Sequence, residues 1–164
     1  MREKLVIVPR RRSAGKKILT ILLFVVTCVL FLLAIAAPVL FIVPAAILAV
    51  AWYLVAFQSD IEYEYTYYDG ELRFAKIRAK RKRKNLANVE MDNVTIIAPQ
   101  GDRSVYKYEN EQQSEYRDLT SAVPGAKVYE LIFKGEKGMC RYEFEPDEEM
   151  LDEISVKYPR SVIK

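Results

Sequence analysis

Two patterns of hydrophobicity meet near residue 58. From residue 18 to residue 57 every position is apolar or weakly polar, with no Asp, Glu, Lys or Arg. As one helix this run would be ~60 Å long at 1.5 Å per residue, about twice the ~30 Å hydrocarbon core of a bilayer. Pro38 divides it, because the residue before a proline is pushed out of the helical region and Ala37 can begin a turn. The pattern therefore predicts a helical hairpin over 18–37 and 39–57, two segments of ~30 Å and ~28 Å that are each long enough to span. Pro44 falls in the first turns of the second helix, where a missing donor costs least. Trp52 and Tyr53 lie near its end, as interfacial aromatics do. Ala45 and Ala49 offer a small-residue face for packing helix on helix.

Beyond residue 58 the period changes to two. Residues 61–68 read IEYEYTYY, Asp69-Gly70 is a strong hairpin signal, and 71–78 read ELRFAKIR. A two-residue turn sets Tyr67 against Leu72 and Tyr65 against Phe74 on one face, with Thr66–Arg73 and Glu64–Ala75 on the other. Two further strands are expected at 86–91 and 94–98, the second ended by Pro99-Gln100-Gly101, and a short one at 104–108. Residues 109–127 read as a long surface loop containing Pro124-Gly125. A second hairpin follows over 128–133 and 139–145. Pro146 then opens a helix with Asp147, Glu148 and Glu149 in its first turn, favourable to the helix dipole. Met150, Leu151, Ile154 and Tyr158 form one side of that helix, and Pro159 stops it. The fold class is α+β: an N-terminal transmembrane helical hairpin, then an antiparallel β-sandwich or open barrel of six or seven strands with a C-terminal helix. The expected divisions are a basic cytoplasmic segment over 1–17, the hairpin over 18–57, and a cytoplasmic β-rich domain over 58–164.

Charge orients the hairpin. The first 17 residues hold seven basic side chains against Glu3 alone, whereas 58–164 hold 18 basic and 21 acidic ones. Arg10, Arg11, Arg12, Lys16 and Lys17 lie just before the first apolar segment, and the connecting turn carries no charge. The positive-inside rule then puts both termini in the cytoplasm of a multi-pass plasma-membrane protein. A cleaved signal peptide ending at Ala34-Ile35-Ala36 fits less well, because cleavage would leave a second apolar segment at the new N-terminus. The net −3 of residues 58–164 does not suit a nucleic-acid binder. The absence of histidine removes histidine metal sites and His-dependent nucleophiles. Cys28 and Cys140 fall in different phases and are not expected to pair. No cofactor motif is present, neither G-x-x-x-x-G-K nor G-x-G-x-x-G. The acidic run at 143–149 is explained by its place at a helix start, without metal.

The order of elements resembles the pleckstrin-homology-like (PH-like) fold of bacterial membrane proteins, in which a helical hairpin precedes a sheet and a closing helix. More closely, the chain resembles a family of two-span membrane proteins from Gram-positive bacteria known only as a domain of unknown function. The basic start carries that resemblance, with YYDGELRFAKI at 67–77, IIAP at 96–99 and FEPDEEML at 144–151. It implies a PH-like cytoplasmic domain and transfers no site residue.

One constellation stands out. Arg73 to Lys84 has eight basic residues and no acidic one. The first strand runs ~26 Å away from the membrane and the second returns over the same distance. If the register continued, Arg81 would come opposite Gln58, at headgroup height. Lys76, Arg78, Lys80, Arg81, Lys82, Arg83 and Lys84 are therefore the candidate lipid-binding residues, facing anionic phospholipid headgroups at ~1 kcal/mol per cation. A solvated charged face and a specific lipid or protein site are the other readings of the same cluster. No catalytic carboxylate pair is defined, so the expected function is a non-enzymatic, membrane-tethered interaction or scaffold module. The alternative is an accessory subunit of a membrane complex, with a membrane-protein partner bound through the hairpin.

Overall fold

The computed structural model describes residues 3–58, 60–109 and 114–164. Helices α1 (Ala14–Ala36) and α2 (Pro38–Gln58) pair as a hairpin about Ala37, and both are long and apolar enough to cross a membrane, with mean hydropathies of 3.2 and 2.5. Ala45 is fully buried at their contact beside half-buried Ala49, so the small-residue face is used as expected. The Phe24 and Trp52 rings meet at 5.4 Å, and the Thr27 hydroxyl turns back to donate to the Leu23 carbonyl. Pro44 lies in the second turn of α2, among its first turns as expected, and removes one intrahelical donor there.

The hairpin is inserted into a sheet rather than placed ahead of one. Lys4–Pro9 forms strand β1, which pairs antiparallel with β2 (Ile61–Tyr68) in the register Lys4↔Tyr67 to Pro9↔Glu62. Part of the N-terminal segment, Lys4–Pro9, is thus an edge strand of the domain. It reads KLVIVP, and Val8 enters the core. Strands β3 (Glu71–Arg78) and β4 (Lys82–Glu90) complete a four-stranded sheet in the order β1-β2-β3-β4. The β2–β3 turn is the one the sequence specifies. Asp69 and Gly70 both have positive φ, and Tyr67↔Leu72, Tyr65↔Phe74, Thr66↔Arg73 and Glu64↔Ala75 are partners.

The second sheet has the order β5-β7-β8-β6, with β5 at Val94–Pro99, β6 at Glu115–Asp118, β7 at Tyr129–Gly135 and β8 at Gly138–Phe144. Two sequence expectations fail here. Residues 104–108 do not form a strand; Tyr106–Glu109 is a single helical turn, α3. Nor is 109–127 simply a surface loop. Residues 110–113 lie outside the described residues, but β6 runs parallel to β8, so the fold is not wholly antiparallel. After it, Leu119, Thr120 and Ser121 are buried. The polar sequence of this stretch hides its structure because its backbone is held by distant partners. Leu119 N–H donates to the Glu143 carbonyl, and the Ser121 N–H and hydroxyl donate to the Glu145 carboxylate.

Between the sheets Tyr65, Phe74, Tyr142 and Phe144 meet edge-on, with centroids 5.6–5.7 Å apart, a favoured arrangement of aromatic quadrupoles. Helix α4 (Glu148–Lys157) closes one end with Met150, Leu151 and Ile154, capped by Asp147, whose carboxylate accepts from Met150 N–H at 2.8 Å. The architecture is therefore α+β, a helical hairpin with two β-sheets and a C-terminal helix.

Candidate functional site: the basic end of the first sheet

Because α1 leaves β1 and α2 enters β2, both helices join the sheet at the same end. The junction is fastened by backbone and side chain together. Arg10 N–H donates to the Ile61 carbonyl and Ala79 N–H to the Asp60 carbonyl, each at 2.9 Å. Arg12 bonds the Asp60 carboxylate at 2.7 Å and the Ala56 carbonyl at 2.8 Å, which ties the start of the hairpin to its finish. Arg11 N–H donates to the Ser121 carbonyl at 2.7 Å and so couples the junction to the second sheet.

The β3–β4 connection lies at this same end. It is shorter than the run of seven residues the sequence suggests, because β3 ends at Arg78 and β4 starts at Lys82. Ala79 and Lys80 make the reversal with φ of 51° and 55°, and Arg81 N–H closes it on the Arg78 carbonyl at 3.1 Å. Left-handed residues other than glycine cost ~1–2 kcal/mol each, so this turn is held against a local penalty. Past Arg78 the two-strand register extends only to the Ala79 N–H bond on the Asp60 carbonyl, and Arg81 sits in the turn; the side chain of Gln58 lies outside the described residues. Around the turn a cavity of about 480 Å³ is walled by Tyr53 and Phe57 of α2, Asp60, and residues 78–82.

The seven candidate cations are not one set. Pairing across β3 and β4 puts Arg78 opposite Lys82, Lys76 opposite Lys84, and Arg83 opposite Ile77. Arg83 therefore projects from the other face, where its guanidinium pairs with the buried Glu64 carboxylate. Lys80 and Arg81 occupy the exposed tip. Lys76, partly buried, lies with its ammonium 5.9 Å from the centre of the Tyr63 ring. Burial, followed by the charges of Arg78, Arg10, Lys16 and Lys84, lowers its pKa from the ordinary lysine value. The sequence reading missed Arg10, Asn85 and Arg117, which the fold gathers beside Lys76 and Lys84. Arg117 in particular comes from the stretch read as a loop.

The bacterial PH-like domain family DUF6106 matches residues 4–164, from the first residue of β1 to the chain's end. The chain belongs to this family. The match includes β1, the whole hairpin and both sheets, in keeping with a hairpin that is built into the PH-like domain rather than appended to it. No curated protein and no solved structure matches the chain.

The acidic run of this PH-like domain has evident structural partners. Glu143 pairs with Arg141, Glu145 binds Ser121, Asp147 caps α4, Glu148 meets Lys127 and Glu149 meets Lys4. Among the described residues no cluster of His, Cys, Asp or Glu is placed to hold a metal ion. Cys28 and Cys140 are both free thiols.

Proposed function

We propose that the chain is a non-enzymatic interaction module, held at the inner face of the plasma membrane by α1 and α2, with the β3–β4 turn resting on anionic phospholipid headgroups. The observation that carries this reading is the place of the turn. Lys80, Arg81 and Lys82 are exposed beside Tyr53 and Phe57, at the end of the sheet where both long apolar helices enter. With the helices across a bilayer, that end stands at headgroup height. Arg10, Arg11, Arg12, Lys16 and Lys17 gather there too, while the Ala37–Pro38 turn bears no charge, which supports cytoplasmic termini.

Three exposed cations at ~1 kcal/mol each contribute ~3 kcal/mol. That is modest for recruitment from solution. It is sufficient to orient a domain that the hairpin already confines to the surface, since the translational cost has been met by the tether. The module thereby presents one fixed face of its second sheet and α4 to the cytoplasm.

The test is amide hydrogen exchange of the 78–84 segment in the full chain. It is to be compared in phosphatidylcholine nanodiscs and in discs containing phosphatidylglycerol. Exchange should slow in the anionic discs and recover when salt is raised, because exposed charge contacts are screened. Equal exchange in the two discs would overturn the reading.

A further inference from the structure

The hairpin end of the first sheet has a charge arrangement that the turn's contact with lipid does not explain. Lys76 is directly opposite Lys84, and Arg78 directly opposite Lys82. Directly opposed residues share a face, so four cations occupy adjacent positions on the face that carries Tyr65, Leu72 and Phe74 further along. Like charges in this relation disfavour pairing of the strands. Three other cations of the same region have carboxylate partners: Arg83 has Glu64, Arg10 has Asp118 and Arg12 has Asp60. Lys76 and Lys84 have no such carboxylate among the described residues.

These two lysines line a cleft of about 320 Å³, distinct from the cavity at the turn. Tyr63, Asn85 and Leu86 complete its near side, and Arg117, Asp118 and Leu119 of the second sheet form its far wall. The single carboxylate there, Asp118, is already engaged by Arg10 at 2.7 Å and by the Thr120 N–H and hydroxyl. Arg117 is also committed, to Glu115 and to the Leu86 carbonyl, and keeps its positive charge on the wall. The volume is at the small end of ligand pockets. What the cleft lacks is negative charge, and the amount it lacks is two.

We propose that the cleft binds a phosphate monoester, with Lys76 and Lys84 as its two charge ligands. A dianion matches both opposed lysines, whereas a phosphodiester carries one charge and leaves the pair half-balanced. The lowered proton affinity of Lys76 agrees with an unbalanced site. The monoester can be a lipid headgroup reached from the adjacent leaflet or a small soluble phosphate. This site is independent of the turn's lipid contact, since it uses different side chains.

The test footprints lysines in the full chain in phosphatidylcholine nanodiscs, using an amine-reactive reagent and mass spectrometry. Glycerol 3-phosphate is the soluble probe. Discs doped with phosphatidic acid or, at equal surface charge, phosphatidylglycerol are the lipid arms. Protection of Lys76 and Lys84 by glycerol 3-phosphate, with Lys80 unchanged, supports a soluble monoester. Protection in phosphatidic acid discs and not in phosphatidylglycerol discs supports a headgroup. In either case Lys84→Gln should weaken protection of Lys76 at least about tenfold, the ~1.4 kcal/mol expected when one charge-assisted contact is lost. No protection by either monoester, or protection of Lys80 equal to that of Lys76, would overturn the proposal. Hydrogen exchange of the turn reports separately on the lipid contact, so the two readings can fail apart.

Discussion

The Arg10 guanidinium lies 2.7 Å from the Asp118 carboxylate and joins the residue that follows β1 to β6, in the other sheet. It also donates to the Tyr63 hydroxyl at 2.9 Å and the Asp118 carbonyl at 3.1 Å, so one side chain serves three acceptors. Both partners are about one-third exposed, which places the loss in Arg10→Ala near the lower end of charged hydrogen bonds, about 1–2 kcal/mol. Arg10→Lys should recover less than half, because an ammonium cannot reproduce the guanidinium fork. Thermal unfolding of the full chain in nanodiscs measures both.

Asp118 gives the same contact a pH dependence. Burial alone would raise its pKa, but the hydrogen bonds from Thr120 and the charge of Arg10 outweigh this and hold it below 3.8. A carboxyl whose folded pKa is depressed contributes stability that is complete above the unfolded value and lost as pH falls through the folded one. Asp118→Asn should therefore be less stable than the parent at neutral pH. Below about pH 4 the two should converge. A constant gap down to acid denaturation would contradict the assignment.

Strand β1 makes the domain inseparable from the segment ahead of the hairpin. A chain beginning at residue 61 exposes the whole β2 edge and leaves the core side of Tyr63 and Tyr65 open where Val8 packed. Such an unprotected edge invites association between copies. The piece should be markedly less stable and prone to self-association, and a peptide spanning residues 3–12 should restore monomeric, cooperative unfolding. Analytical ultracentrifugation with and without the peptide decides it.

The contrast between β1 and the β2–β3 hairpin shows what the sequence can reveal. Asp69-Gly70 sets its turn locally, so the register of eight paired positions follows from two residues. The partner of β1 lies more than fifty residues away across the apolar run, and its own six residues are overshadowed by the basic cluster that follows. Strand β6 is four polar residues, EYRD, whose extended form comes from β8 and not from any pattern of its own. The candidate site divides in the same way. The basic run is obvious in the sequence, but its two faces are not. The pairing of Lys76 with Lys84 depends on where the chain reverses and on the irregularity between Phe74 and Ala75.

The hairpin turn also limits change at its own position. Gly70 has a φ of 87°, and a Cβ there would lie 2.7 Å from the Tyr158 hydroxyl oxygen at the end of α4. Gly70→Ala should cost about 1–3 kcal/mol, combining backbone strain with that clash. Adding Tyr158→Phe removes the oxygen and should recover the steric part while leaving the backbone part. Chemical denaturation of the single and double variants separates the two contributions.

Lys76 carries the last prediction, because the arrangement that suits it to an anion makes it costly without one. The groups around it are Arg78 and Lys84 from its own sheet, Arg10 and Lys16 from the start of the hairpin, and Tyr63; Asp118, across the cleft, is committed to Arg10. Its pKa is lowered from 10.5, first by burial and then by those cations. A lysine with a depressed folded pKa destabilises the fold while both states hold the proton. The penalty is relieved as pH rises through the folded value, and is gone at the unfolded value. Lys76→Met should therefore raise the melting temperature at neutral pH, and its advantage should shrink as pH approaches 10.5. A methionine variant that is less stable than the parent throughout would mean that Lys76 has a partner in the folded chain, and the charge imbalance of the cleft would have to be abandoned.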